Sequence, residues 1–174
     1  MADYYNPCVL SPAIPMADMT ACERLLLTGM FEHDADDEAE TLALYSSTGV
    51  NEMPEFERDE IETALSVEDG RDGNARRILQ EALDAADDGS PFISPDLSTT
   101  SYEELLQDII RRSADLNYVM VEMSFVCSKM RADGFGGMAI LITADRILAK
   151  TTSELLQDFL KEVDPQGQFD ETAP

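Results

Sequence analysis

Between residues 117 and 128 the side chains alternate, with Val119, Val121, Met123, Phe125 and Cys127 on one face and Tyr118, Met120, Glu122, Ser124 and Val126 on the other. Period-two patterning of that length is a strand, and it commits the second half of the chain to a sheet. A second β-rich run, Met138-Ala-Ile-Leu-Ile-Thr-Ala144, follows the glycine-containing stretch Lys129 to Gly137. A connection of that kind between two strands predicts an antiparallel hairpin over about 117–148. Earlier, Thr41 to Ser47 predicts a short strand with Leu42 and Leu44 on one side.

Helices are marked by their starts. Thr20-x-x-Glu23, Ser101-x-x-Glu104 and Thr151-x-x-Glu154 are capping boxes, in which the hydroxyl and the carboxylate each take a free amide of the first turn. Apolar residues follow each at helical spacing: Leu26, Leu27, Met30 and Phe31; then Leu105, Leu106, Ile109, Ile110 and Ala114; then Leu155, Leu156, Phe159 and Leu160. Two more helices are expected, one near 55–66 with Ile61 and Leu65. The other carries Ile78, Leu79, Ala82, Leu83 and Ala86, is capped by Asp72 or Asn74, and stops at Gly89. Residues 104–108 and 154–158 share the text Glu-Leu-Leu-Gln-Asp, yet their flanks differ, so the match is one of helix composition and not a repeat.

These elements predict an α+β fold: a single globular domain over 19–164, in which four to five helices pack a small antiparallel sheet. Residues 1–18, with Pro7, Pro12 and Pro15, are expected to form an extended arm along the body. The acidic stretch 34–40 should interrupt the pattern, 90–100 with Pro91 and Pro95 should be a loop, and 165–174 should fray.

Charge narrows the function classes. The 174-residue chain holds 36 acidic and 12 basic residues, a formal net charge of −24. Such a surface repels nucleic-acid phosphates and anionic membranes, so neither is expected as a direct partner. No apolar run approaches the roughly 18 residues of a membrane-spanning helix. The first residues lack the basic and apolar regions of a signal peptide, and a cytoplasmic location is expected. Cys8, Cys22 and Cys127 are odd in number and scattered, which suits reduced thiols and not a disulfide framework.

Catalytic and metal signatures are missing from the sequence. His33 is the one histidine, and the run Asp34 to Glu38 lacks the glycine and the closing glutamate of a calcium loop. Gly134-Phe-Gly-Gly137, next to Lys129 and Arg131, joins two predicted strands and so reads as a hairpin loop, whereas phosphate-gripping loops run into a helix N-terminus. No cofactor, no metal and no enzymatic activity are expected. An enzyme built on this loop would show a pocket lined by Lys129, Arg131 and Asp133.

The acids are concentrated. Fifteen of the 36 fall within 32–72, where only Arg58 and Arg71 oppose them, while 111–150 holds Arg111, Arg112, Lys129, Arg131, Arg146 and Lys150. Glu55, Glu57, Asp59, Glu60 and Glu62 put five carboxylates in eight residues, about one per 2.4 Å if helical at about 1.5 Å per residue. B-DNA carries one phosphate per about 1.7 Å. Glu55, Asp59 and Glu62 would share one helical face, where like charges cost a few tenths of a kcal/mol per pair. The expected partner-binding residues are therefore Asp34, Asp36, Asp37, Glu38, Glu55, Glu57, Asp59, Glu60 and Glu62. The expected function is a DNA-mimic inhibitor filling the basic groove of a restriction, CRISPR or repair protein, a likeness of composition that covers no motif. Two alternatives stand beside it: an acidic immunity or chaperone-like module for one cationic protein, which would expose apolar residues such as Met53 and Phe56 among the acids, or a salt-adapted domain with no such role.

Overall fold

The computed structural model describes residues 2–67, 70–71, 73–87, 89–131 and 134–164, and the expected frayed tail and the Asp72 cap lie outside them. The fold is α+β. Within the described residues the chain runs β1 (Tyr4–Tyr5), β2 (Cys8–Ser11), β3 (Ile14–Pro15), a short 3-10 turn, α1 (Ala21–Met30), β4 (Glu32–Asp36) and β5 (Thr41–Ser46). It continues through β6 (Phe56–Glu57), α2 (Arg58–Ser66), α3 (Asn74–Ala85), β7 (Phe92–Ile93) and α4 (Tyr102–Arg112). The last elements are β8 (Tyr118–Cys127), β9 (Gly136–Thr143), β10 (Ile147–Thr151) and α5 (Thr152–Val163).

The hairpin read from the alternation is β8–β9, with Val121 opposite Ile140 and Val119 opposite Ile142. The sheet around it is larger than expected, with eight strands, all pairs antiparallel. From one side its strands run β10, β9, β8, β2, β5, and β4 closes the far edge beside β5. The segment expected as an arm supplies β2, the strand that joins the two halves of the sheet, pairing Leu10 with Val121 and Val9 with Tyr45. Alternation hides at this length: only Cys8 and Leu10 of β2 point inward and are buried. The interval 34–40 is likewise no interruption but the outer strand and turn of the β4–β5 hairpin. Within the expected loop 90–100, β7 pairs with β6.

One face of the sheet is covered. Leu10, Leu44, Val119, Val121, Ile140 and Ile142 join Leu26, Leu27, Ile61, Leu79, Leu105, Leu106 and Ile109 in one buried core, so α1 to α4 form a single layer on this side. The capping boxes at Thr20, Ser101 and Thr151 all form. Glu23 does double duty, because its carboxylate takes the Thr20 amide at 2.8 Å and Arg112 Nη2 at 2.7 and 2.6 Å. That ties α1 to the end of α4 through an acid only 1% exposed. The helix expected to reach Gly89 stops at Ala85 and begins without a side-chain cap, since Asn74 is its first residue and turns its amide to Asp108 instead.

The other face is open. Residues opposite one another across neighbouring strands share a face, which puts Val9, Glu122, Ala139 and Lys150 in one outward row and Ser11, Met120, Leu141 and Leu148 in the next. Four helices pack on the core, while α5, the fifth, buries no residue.

Candidate functional site

The expected acidic strip resolves into two groups on different elements. Asp34 and Asp36 lie on β4, and Asp37 and Glu38 in the turn that follows. Glu32, Asp34 and Asp36 stand opposite Tyr45, Ala43 and Thr41, so all three carboxylates rise from the same open face as Val9. Alternate residues of a strand are about 6.8 Å apart. The whole strand is exposed. At one end Glu32 Oε1 accepts the Ser47 amide at 2.8 Å and the Ser47 hydroxyl at 2.5 Å, and these bonds hold its pKa below the ordinary carboxylate value, the hydroxyl contributing most. At the other end Asp36 accepts the amides of Glu38 and Ala39, both at 3.0 Å, and so fixes the hairpin tip. The field of the strip reaches Tyr45, whose phenol is pushed up first by the Asp34 charge, then by desolvation and Glu32.

The second group does not form the expected helical face. Glu55 precedes β6 and Glu57 precedes the helix, which begins at Arg58, so of Glu55, Asp59 and Glu62 only the last two lie in α2. The offset has a local cause: the Glu60 carboxylate accepts the Glu57 amide at 2.9 Å, making Glu57 the cap. Asp59 and Glu60 then sit in the first turn, where the positive helix end favours them. Arg58 reaches Glu62 at 3.9 Å while donating to the Ser90 and Asp87 carbonyls. Much of this group is thus part of how α2 starts. The β4 group is not. Among the described residues the ion pairs run Arg58–Glu62, Arg77–Glu81, Arg111–Asp108, Arg112–Glu23 and Asp158 with Lys150 and Lys161, and none engages Glu32, Asp34, Asp36, Asp37 or Glu38.

The apolar residues expected among the acids divide as well. Met53 is 82% exposed, but Phe56 is buried at 5%, its ring lying where a Cβ on Gly29 would come within 2.4 Å. His33 is exposed on β4, facing away from the acids of that strand. The three cysteines are free and buried. Among the described residues no three His, Cys, Asp or Glu side chains converge as metal ligands would.

The stretch Lys129 to Gly137 lies at the β8–β9 hairpin as expected, but β9 already begins at Gly136, so Gly136 and Gly137 pair with Phe125 and Ser124, and Asp133 lies outside the described residues. Gly137 is there for space, since a Cβ would meet the Met123 carbonyl at 2.9 Å. Lys129 and Arg131 line none of the four principal clefts. The largest of these four, about 1440 Å³, opens between the 48–53 and 94–101 segments, with Met30, Met123, Phe125 and Met138 among its walls. It also includes Tyr102, whose hydroxyl is buried with no hydrogen-bond partner among the described residues. Burial, ahead of the Glu103 charge, raises that phenol's pKa and keeps it protonated. No motif in the sequence pointed to this cleft, because its lining comes from loops and strand ends far apart in the chain. Comparison with family models, curated proteins and solved structures finds no match. Among the described residues no helix is long and apolar enough to cross a membrane.

Proposed function

We propose that the chain is a non-enzymatic, cytoplasmic acidic binding protein that occupies the basic, nucleic-acid-binding groove of a partner protein. The reading rests on the β4 hairpin, where Glu32, Asp34 and Asp36 share one exposed face and Asp37 and Glu38 extend it at the tip. Carboxylates that neither cap a helix nor pair with a base are available to a partner's Lys and Arg, and complementary fields accelerate such encounters at low salt. One face of β4 carries a charge per about 6.8 Å, half the density along the axis of a single DNA strand at 3.4 Å, so the tip residues and the α2 group must add to it. The site residues are therefore weighted toward β4, with Glu55, Glu57, Asp59, Glu60 and Glu62 as a second contact area.

A second reading has its own support. Met53, exposed between Glu52 and Pro54 with Glu55 two residues on, is an apolar side chain flanked in sequence by acids, the form expected of a module that grips one cationic protein without imitating DNA.

Affinity capture from lysate at low salt, followed by competition with duplex and single-stranded DNA, separates the two. Mimicry requires basic, DNA-handling proteins that release as salt rises and that DNA displaces from the chain. Capture that persists under excess DNA but falls on Met53→Ser favours the second reading. A triple variant, Glu32→Gln with Asp34→Asn and Asp36→Asn, is expected to lower capture more than Glu55→Gln with Asp59→Asn and Glu62→Gln. Equal capture by wild type and the β4 variant would remove the hairpin from the argument.

A further inference from the structure

The end of the molecule opposite β4 carries a different surface. Along α5, Leu155, Leu156, Phe159, Leu160 and Val163 are 41%, 61%, 52%, 55% and 67% exposed. Their spacing places them on one stripe of the helix, so this is an amphipathic helix whose apolar side is largely uncovered by the described residues. Leu155 overhangs an open cleft of about 680 Å³ whose other walls include Val9, Ala139 and Lys150 of the outward sheet face. Next to that row lie Met120 and Leu148, also exposed, with Tyr118 at the margin of the same face. Through that cleft the helix stripe and the sheet face join, and contiguous exposed apolar surface of this kind marks an interaction site.

Charge selects the occupant. A cationic partner would need several free acids in or around the patch, but Asp158 already takes Lys150 and Lys161, and Glu154 is engaged by the Thr151 amide and hydroxyl, both at 2.7 Å. That leaves Glu122 in the sheet row and Glu162 on the helix, against the open row of acids on β4. For a chain with a net charge of −24, two copies can meet only where their carboxylates stay apart, and this end is farthest across the sheet from β4. The sheet edges say the same. Among the described residues β10 is paired on one side only, with β9, and its Ile147, Leu148 and Ala149 are exposed and apolar. An apolar run on an edge invites another strand, and the one charge on β10, Lys150, is already drawn to Asp158, whereas acids along an edge such as β4 prevent pairing.

We infer that β10 and α5 form a two-fold interface between two copies of this chain. The β10 edges pair antiparallel, the sheet runs on through both copies, and the two α5 stripes pack against each other above it. Such an arrangement is isologous, each copy offering the same patch, so it closes at two.

Light scattering coupled to size exclusion, from micromolar to near-millimolar chain, tests this. Wild type is expected at twice the 19.2 kDa chain mass. The pair Leu156→Glu with Phe159→Glu is expected to weaken association by about a hundredfold or more while leaving the cooperative melt and the far-ultraviolet spectrum of the core intact. Leu148→Lys, on the strand and not the helix, should weaken it independently. Asp34→Asn with Asp36→Asn, at the far edge, should leave the mass at two chains. A monomeric wild type over the whole range, or a dimer that survives both the α5 and the β10 variants with the fold retained, would overturn the inference.

Discussion

Helices α4 and α5 both begin with a capping box and both continue Glu-Leu-Leu-Gln-Asp, yet one pair of leucines is the centre of the core and the other is out in the open. Leu105 and Leu106 are 0% exposed, and Leu155 and Leu156 are 41% and 61% exposed. Local sequence is enough to start and orient a helix, because capping and periodicity act within a few residues. It does not say what the apolar stripe will meet. For α4 the answer is the inner face of β8 and β9, reached by Gln107 as well, whose amide donates to the Thr143 carbonyl at 2.8 Å. Held against β9 by the Thr152 hydroxyl on the Gly137 amide, α5 meets little else.

The widest gap between the two helices should appear on truncating their leucines. Leu105→Ala or Leu106→Ala is expected to cost about 2–5 kcal/mol of global stability, the usual range for emptying a buried leucine site, measured by denaturant titration. Leu156→Ala, at a dilution that keeps copies apart, should cost no more than a few tenths. Comparable losses would end the contrast. Capping comes next in size. Ser101→Ala should lower stability by about 1 kcal/mol, because α4 unfolds only with the core. Thr151→Ala should leave the melting midpoint nearly unmoved and show itself as faster amide exchange confined to 152–163.

Acid sharpens the comparison further. The Glu154 carboxyl is held below its ordinary value first by the Thr151 amide and then by its hydroxyl, and Asp158 first by its hydrogen bond from Lys150. Lowered carboxylate pKa values stabilise the folded form fully above the ordinary carboxylate range, and that contribution is lost as pH falls through the lowered values. Acidification should therefore loosen α5 before α4, which amide exchange along both helices will show. An α5 that keeps its protection while α4 loses its own would contradict the assignment. The smallest effect belongs to the remaining charges: Asp34→Asn should bring the Tyr45 phenol back toward its ordinary value in a ring-resolved titration, with no change in fold. A Tyr45 titration that ignores the substitution would mean that the β4 field does not reach it.

Much of the fold was legible in the sequence. The β8–β9 hairpin, β5 and the three boxed helices fall where alternation and capping put them, because each of these signals is local and redundant. The misses share a cause. β4 reads Glu-His-Asp-Ala-Asp and is exposed throughout, so a strand at a sheet edge leaves no apolar trace to find. β2 is four residues long between prolines, and its place in the middle of the sheet depends on partners more than a hundred residues away. Among the site residues, the acids were visible as composition, but Glu57 capping the helix one turn later than expected took Glu55 out of the face it had been given.

The mixed architecture, the alternating strands, the helix starts and the excess of negative charge follow from residue type and short-range spacing alone. Which carboxylates hold helices and which face solvent, and which of two identical leucine pairs is covered, were settled only by long-range packing. Those outcomes depend on which distant strand or helix arrives beside each residue, and contacts of that range are not written in any local stretch of chain.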